Sequence, residues 1–174
     1  MNMFEIPMGQ RIERRLFGLL DEEIRAQEPA CYQGYYASQE FVKAGTLWKP
    51  SWAQTEFLCD LQRNLVEKMR LRDTSCVECY TSLYTNLDRY HGIDAFLVIT
   101  LGPGKIETVT LDVTAREDKF ERRKEYSANI VFLAQYEDMT SRALRSKASG
   151  LADEIVAHLL TPQYLRRSIR YARS

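Results

Sequence analysis

The stretch Gly92–Thr114, GIDAFLVITLGPGKIETVTLDVT, contains two extended apolar runs on either side of a Gly-Pro-Gly centre. β-Branched residues are frequent in both runs, and the central glycines and proline are a strong turn signal. We therefore predict a β-hairpin whose strands are Gly92–Thr100 and Ile106–Thr114, with the turn centred on Pro103.

The alternation of residues along these strands predicts the hairpin register. A turn centred on Pro103 places Asp94 opposite Asp112. On the other side of the hairpin it pairs only apolar residues, namely Ile93 with Val113, Ala95 with Leu111 and Leu97 with Val109. A slip of one residue would destroy this segregation, which supports the register.

Two directly opposed carboxylates on neighbouring antiparallel strands repel each other and destabilise the sheet. A divalent cation with oxygen ligands, or a raised pKa on one of the two acids, would offset this repulsion. Exposure of both acids to water, beside Arg or Lys, is the alternative. Asp94 and Asp112 are therefore candidate metal ligands on geometric grounds.

The segments around the hairpin alternate between helical and extended periodicity. Residues 28–50, which are rich in aromatic residues, Gly and Pro, are predicted to be loop or irregular structure. About fourteen residues separate the third strand from the fourth, which is enough for a parallel crossover. The predicted helices are 9–27, 51–70, 117–127, 141–160 and 162–173, and the further strands are 79–84 and 129–136.

This order predicts an α/β (α+β) fold with a small mixed sheet of about four strands flanked by helices. The length of 174 residues favours a single domain over residues 1–174. Within it we expect an N-terminal helix and irregular segment (1–50), an αβββαβ core (52–136) and C-terminal helices (139–174).

Composition narrows the class of protein. No apolar stretch is long enough to span a membrane, and no apolar signal segment is visible at the N-terminus, so we expect a cytoplasmic protein with no membrane partner. Basic and acidic residues cancel overall, but residues 116–174 carry 12 basic and 8 acidic residues. This basic excess indicates either a surface that binds nucleic acid or an ordinary solvent-exposed face. The oligomeric state is left open.

The four cysteines do not form a metal-binding pattern. Cys76 and Cys79 make a single C-x-x-C, whereas a structural zinc site needs a second pair or spaced histidines. The pair also leads into an extended run rather than a helix, unlike a thioredoxin-type redox motif. We therefore interpret Cys31, Cys59, Cys76 and Cys79 as buried reduced thiols.

The order helix, strand, Gly92-Ile93-Asp94, hairpin, Leu111-Asp112-Val113-Thr114, helix and apolar strand resembles the PD-(D/E)XK nuclease superfamily over roughly residues 52–136. The resemblance implies a restriction-endonuclease-like core and hydrolysis of phosphodiester bonds with Mg²⁺ or Mn²⁺. Asp94 and Asp112 match the two catalytic, metal-binding acids. Thr114 stands where the motif has Lys, so the resemblance implies that Lys119, or failing that Lys124, supplies the ammonium group.

The same resemblance implies a nucleic-acid partner, with DNA ahead of RNA. Basic side chains would offset phosphate charge, and the candidates are Arg122, Arg123, Arg166 and Arg170. A further acid in this superfamily often comes from the helix before the sheet, where Glu56 and Glu67 are candidates. A module that keeps the fold without catalysis, and an unrelated α/β interaction protein, are the alternatives.

Overall fold

The computed structural model describes residues 7–47, 49–123 and 127–162. In this part of the chain the helices and strands alternate as the sequence predicts for a mixed fold. They are α1 (Met8–Phe17), α2 (Glu22–Ala26), α3 (Tyr35–Gly45), α4 (Glu56–Met69), β1 (Val77–Thr81), α5 (Asn86–His91), β2 (Ala95–Gly102), β3 (Lys105–Thr114), α6 (Glu117–Glu121), β4 (Ile130–Leu133) and α7 (Ser141–Leu160).

The four strands form one sheet in the order β1-β2-β3-β4. β1, β2 and β3 are antiparallel neighbours, and β4 lies parallel to β3 after the crossover through α6. The predicted α/β class with a mixed sheet of about four strands is confirmed. The predicted pairs Ala95–Leu111 and Leu97–Val109 are also present.

One face of the sheet packs against α1, α4 and α7. Residues with odd numbers in β1, β2 and β3, such as the fully buried Leu97 and Leu111, enter this apolar core, and from β4 it receives Ile130 and Phe132. Phe17 of α1, Phe57 of α4 and Phe132 of β4 meet with ring centroids 6.0–6.3 Å apart. These contacts hold α1 against the rest of the domain, which matters because α1 carries part of the site described below.

The opposite face of the sheet is covered in part by α3 and α5. A second apolar cluster there includes Val42 of α3 and Leu87 of α5, and the rings of Tyr80 and Phe96 stack at 4.9 Å. Ile93 belongs to this cluster. The predicted pairing of Ile93 with Val113 is therefore wrong, because the regular ladder ends at Ala95.

The predicted helix 9–27 is divided into α1 and α2. Gly18 follows α1 with φ of +72°, a conformation that L side chains rarely adopt. A Cβ at this position would also collide with the side chain of Gln54, which accepts a hydrogen bond from the Leu19 N–H at 3.1 Å. A new helix then begins after Asp21, whose carboxylate caps the Glu23 N–H.

The loop predicted over residues 28–50 is wrong, because α3 forms within it. Its buried face contains Ser38 and Gln39 beside Val42, so the apolar period that indicates a helix is hidden. The short helix α5 is also additional. The helix predicted from Ser51 begins instead at Glu56, after the Thr55 side chain accepts a hydrogen bond from the Leu58 N–H.

Two strands are shifted from their predicted positions: β1 is Val77–Thr81 where 79–84 is predicted, and β2 begins at Ala95 where Gly92 is predicted. Other elements differ in length. α6 ends at Glu121 and β4 at Leu133, both shorter than predicted, whereas α7 has the predicted span. The predicted helix 162–173 lies outside the described residues. The four thiols are free; Cys79 is buried as expected, but Cys31 is exposed. No helix among the described residues is long and apolar enough to cross a membrane.

A candidate carboxylate site at the end of the central hairpin

Asp94 and Asp112 meet where β2 begins and β3 ends. The Asp94 N–H donates to the Leu111 carbonyl oxygen at 2.9 Å, so Asp94 lies just outside the regular ladder. Its side chain nevertheless lies close enough to that of Asp112 for the charge of Asp112 to raise the pKa of Asp94. Both residues are buried, with 5% and 2% of their surface exposed. The structure therefore brings the two predicted acids together, out of contact with bulk water.

Asp94 is the acid of this pair that the protein environment disfavours most strongly as an anion. Burial, followed by the negative charge of Asp112, raises the pKa of Asp94 well above its usual range. Its Oδ2 accepts a hydrogen bond from the Val113 N–H at 2.7 Å, which fixes the orientation of the carboxyl group. A protonated Asp94 can then donate to the carboxylate of Asp112, and the direct repulsion between two anions is removed.

Lys119 neutralises the other member of the pair. Its Nζ lies 3.0 Å from Oδ1 and 2.9 Å from Oδ2 of Asp112. Burial raises the pKa of Asp112, while the hydrogen bond and the charge of Lys119 act in the opposite direction. The sequence-based prediction that Lys119 belongs to this site agrees with these distances.

The turn after β3 explains how Lys119 reaches Asp112 although seven residues separate them. The Thr114 hydroxyl accepts a hydrogen bond from the Arg116 N–H at 3.1 Å, and α6 begins at the next residue. This tight turn folds the first helical residues back over the end of β3. Thr114, at the position of the motif Lys, is buried, and its hydroxyl stabilises this turn.

Two further acids interact electrostatically with Asp94, and the sequence analysis identified neither of them. Glu13 of α1 and Asp88 of α5 both have their pKa raised, first by burial and then by neighbouring carboxylates that include Asp112. Both also raise the pKa of Asp94. We call Glu13, Asp88, Asp94 and Asp112 the carboxyl cluster. Lys119 lowers the pKa of Glu13, Asp88 and Asp112, and Arg14 and Arg89 also lower the pKa of Glu13 and Asp88, respectively.

One of these two acids had a signal in the sequence. Thr85-x-x-Asp88 is typical of a helix start, and Thr85 does cap α5 by accepting from the Leu87 N–H. Asp88 itself accepts from the Tyr84 N–H at 2.7 Å. Glu13 had no comparable signal, because its place beside the pair depends on the packing of α1 and not on any local pattern.

Glu56 and Glu67, the candidate acids from the helix before the sheet, are not part of the carboxyl cluster. Glu56 contacts the Ser141 hydroxyl at 3.2 Å and Arg145 at 3.7 Å, so it joins α4 to the start of α7. Glu67 is exposed near the end of α4. His91 contacts the Gln33 carbonyl oxygen at 3.0 Å, which suits the end of α5 and not a metal ligand.

The predicted nucleic-acid contacts are only partly described. The Arg122 guanidinium, just after α6, lies 4.0 Å from Oδ2 of Asp118. The Arg123 guanidinium lies 4.4 Å from the ring centroid of Phe120. Both arginines are exposed. Lys124, Arg166 and Arg170 lie outside the described residues.

Within residues 7–47, 49–123 and 127–162, no three His, Cys, Asp or Glu side chains form a group that could hold a metal ion. The pair Asp94–Asp112 thus offers two protein ligands at most. Comparison with protein-family models, with curated proteins and with solved structures finds no match to this chain.

Proposed function

We propose that this protein is a divalent-metal-dependent nuclease that hydrolyses phosphodiester bonds in nucleic acid, as the resemblance to the PD-(D/E)XK superfamily implies. The observation that carries the proposal is the contact of Lys119 with Asp112 beside Asp94. Two acids and one ammonium group are the chemical groups that the motif requires, and Lys119 supplies from α6 what Thr114 lacks.

The donor set fits Mg²⁺ or Mn²⁺. Magnesium prefers oxygen ligands, keeps several waters and is commonly held by one or two carboxylates together with substrate phosphates. Asp94 and Asp112 would hold it, and water and substrate would complete its coordination. When bound, such an ion polarises a phosphoryl oxygen and lowers the pKa of a coordinated water.

The residues of the site would have distinct tasks. The Val113 N–H holds the Asp94 carboxyl group in place, and Asp94 releases its proton to solvent before it acts as an anionic ligand. Lys119 then leaves part of its contact with Asp112 and orients the attacking water or a phosphate oxygen. Glu13 and Asp88 add negative charge that favours a cation at this position.

Exposed arginines near the site support a polyanionic substrate. Arg122 and Arg123 lie on the segment that follows Lys119 and are accessible to a phosphate backbone. DNA is the substrate that we place first. Arg166 and Arg170, from the acid-free C-terminal segment, extend this proposal along the chain.

The second candidate is a nucleic-acid- or protein-binding module without catalysis. Lys119 already supplies a positive charge to Asp112, so one acid of the pair has a counter-charge without a divalent ion. In that case the carboxyl cluster would serve to dock α1, α5 and α6 around the end of the hairpin.

Cleavage assays with matched variants separate the two candidates. Labelled single-stranded and duplex DNA and RNA are incubated with Mg²⁺, with Mn²⁺ or with EDTA. Asp112→Asn should lower the divalent-dependent rate by about a hundredfold or more, because it removes a ligand charge at the reacting centre. Asp153→Asn is the control, since Asp153 pairs with Lys68 at 2.7 Å but is exposed. Equal rates for both variants would remove Asp112 from the mechanism.

Lys119→Ala tests the second part of the assignment. If Lys119 orients the water, its loss should lower the rate of cleavage far more than the affinity for substrate. A wild-type protein that binds nucleic acid, does not cleave it, and gains cleavage on Thr114→Lys would favour the second candidate and a decayed site.

A further inference from the structure

Five aromatic rings form a continuous group at the end of α5 and the start of α3. Ring centroids lie 5.5 Å apart for Tyr32 and Tyr90, 5.7 Å for Tyr32 and His91, 5.8 Å for Tyr35 and His91, and 5.2 Å for Tyr35 and Tyr36. We call these five residues the aromatic platform. It joins the end of α5 to the start of α3, so it is built by the tertiary fold.

Three of the five rings of the platform are exposed, and Tyr35 and His91 are half-buried. Tyr36 is 79% exposed, Tyr32 65% and Tyr90 42%. Single exposed apolar residues are ordinary, but a contiguous group of them marks an interaction surface. The position of these rings relative to the proposed active site indicates what they bind.

The segment that carries Tyr32 is fixed before any ligand arrives. The Asn86 side chain donates to the carbonyl oxygens of Pro29 and Cys31, at 2.9 and 3.3 Å. His91 contacts the Gln33 carbonyl oxygen at 3.0 Å. Because these hydrogen bonds tie the loop to α5, the rings are preorganised and a ligand loses less conformational entropy on binding.

The platform and the carboxyl cluster share the same short stretch of chain. His91 is three residues before Asp94, so their Cα atoms are at most about 11 Å apart. Asp88 of the cluster and Tyr90 of the platform lie on the same helix, with the exposed Arg89 between them. This short separation places the platform within reach of a strand whose phosphodiester lies at Asp94 and Asp112.

We infer that the aromatic platform is a stacking surface for unpaired nucleobases, so that the substrate is single-stranded nucleic acid or a strand with unpaired bases beside the cleaved bond. This inference rests on the proposed function for its choice of ligand. Aromatic side chains stack on bases of any sequence, and bases are available for stacking only where they are unpaired. The nearby Arg89 adds a positive charge that suits a phosphate backbone.

Binding measured without cleavage tests the inference. A labelled oligo-dT strand of about 15 nucleotides, its fully paired duplex, and the same strand with abasic positions at its centre are titrated by fluorescence anisotropy in EDTA. The wild-type protein should bind the intact strand more tightly than the abasic strand or the duplex. The abasic strand keeps every phosphate, so the difference reports stacking alone.

Variants assign that difference to the platform. The double variant Tyr32→Ala/Tyr90→Ala should lower affinity for the intact strand by about tenfold or more and leave the abasic strand unchanged. Tyr32→Phe/Tyr90→Phe keeps both rings and should bind as the wild type does, which guards against misfolding of the alanine variant. Tyr136→Ala is the control, because Tyr136 is a 57% exposed tyrosine outside the platform.

Equal affinities for the intact and abasic strands, or an alanine variant that binds like the control, would overturn the inference. Preference for a proline-rich peptide or an oligosaccharide over the strand would overturn it as well. Its failure is distinguishable from that of the proposed function. Duplex cleavage with Mg²⁺ in a protein that shows no stacking leaves the nuclease standing, and stacking without cleavage leaves the platform standing.

Discussion

Replacing Lys119 by Met removes the positive charge from the carboxyl cluster and keeps most of the aliphatic stem. The Nζ of Lys119 lies 2.9 and 3.0 Å from the oxygens of Asp112, whose side chain is 3% exposed. Loss of one partner of a buried ion pair costs about 3–5 kcal/mol, and a hydrogen bond to a charged group contributes about 1.5–3 kcal/mol. The Lys119 side chain is 27% exposed and Asp112 can take up a proton, so we expect a loss of about 2 kcal/mol at pH 8.

The size of this loss should depend on pH in a defined direction. Burial already raises the pKa of Asp112, and without Lys119 that pKa rises further. A carboxyl group whose pKa is raised by folding contributes most to stability below the pKa of the unfolded chain, about 4, and this contribution is lost as the pH rises through the folded pKa. The variant should therefore be further from wild type at pH 8 than at pH 5.

Urea and thermal unfolding of both proteins, followed by far-ultraviolet circular dichroism at pH 5 and pH 8, measure the two differences. At pH 8 the melting temperature should fall by about 4–8 °C for a chain of this length. Lys105→Met is the control, because Lys105 is exposed and its replacement should change stability by no more than about 0.5 kcal/mol. If Lys119→Met matched this control at both pH values, or lost more stability at pH 5, the assignment of Lys119 as the partner of Asp112 would be wrong.

Three further predictions follow from other parts of the chain. Asp94→Asn keeps a hydrogen-bond donor and an acceptor but removes an acid whose pKa is raised by burial. Urea unfolding should therefore show the variant to be more stable than wild type at pH 8, and this gain should disappear towards pH 4. Gly18→Ala should lower the free energy of unfolding by about 1–3 kcal/mol, because Gly18 has a backbone conformation that only glycine adopts easily. Gly150→Ala should raise it by about 0.5–1 kcal/mol, because Gly150 is at an exposed helix position with open space, and thermal unfolding measures both changes. Replacing Arg166 and Arg170 by Ala should flatten the dependence of log affinity for duplex DNA on log salt by about 0.9 for each phosphate that is no longer neutralised, and an unchanged slope would assign both arginines to solubility.

The hairpin could be predicted from sequence because its information is local. Alternating residues on two adjacent strands determine the pairing of Ala95 with Leu111 and of Leu97 with Val109, and the turn residues lie between them. The position of Asp112 on β3 follows from the same alternation. Lys119 could be placed because a tight turn leaves little freedom for the residues just after a strand.

The rest of the site depends on packing that no local pattern records. Glu13 reaches the cluster because Phe17 anchors α1 against Phe57 and Phe132, residues far away in the sequence. The buried face of α3 contains the polar residues Ser38 and Gln39 beside Val42, so its sequence lacks the apolar period that indicates a helix. The predicted hairpin register, which continues beyond the last observed pair at Ala95, also placed Ile93 on the wrong face.

The balance of charge in the carboxyl cluster bears on the choice between the two proposed functions. A domain selected only for stability gains nothing from burying Asp94 against Asp112, because two apolar residues of similar size would avoid the desolvation of both acids. Glu13 and Asp88 increase that cost, since each raises the pKa of Asp94 further. Lys119 lowers the pKa of three of these acids but carries a single positive charge. Perturbed, buried acids of this kind concentrate at functional sites, where an unfavourable arrangement is retained for its chemistry. A divalent cation would add positive charge beyond that of Lys119, and for this reason we place the proposed metal-dependent nuclease ahead of the binding module.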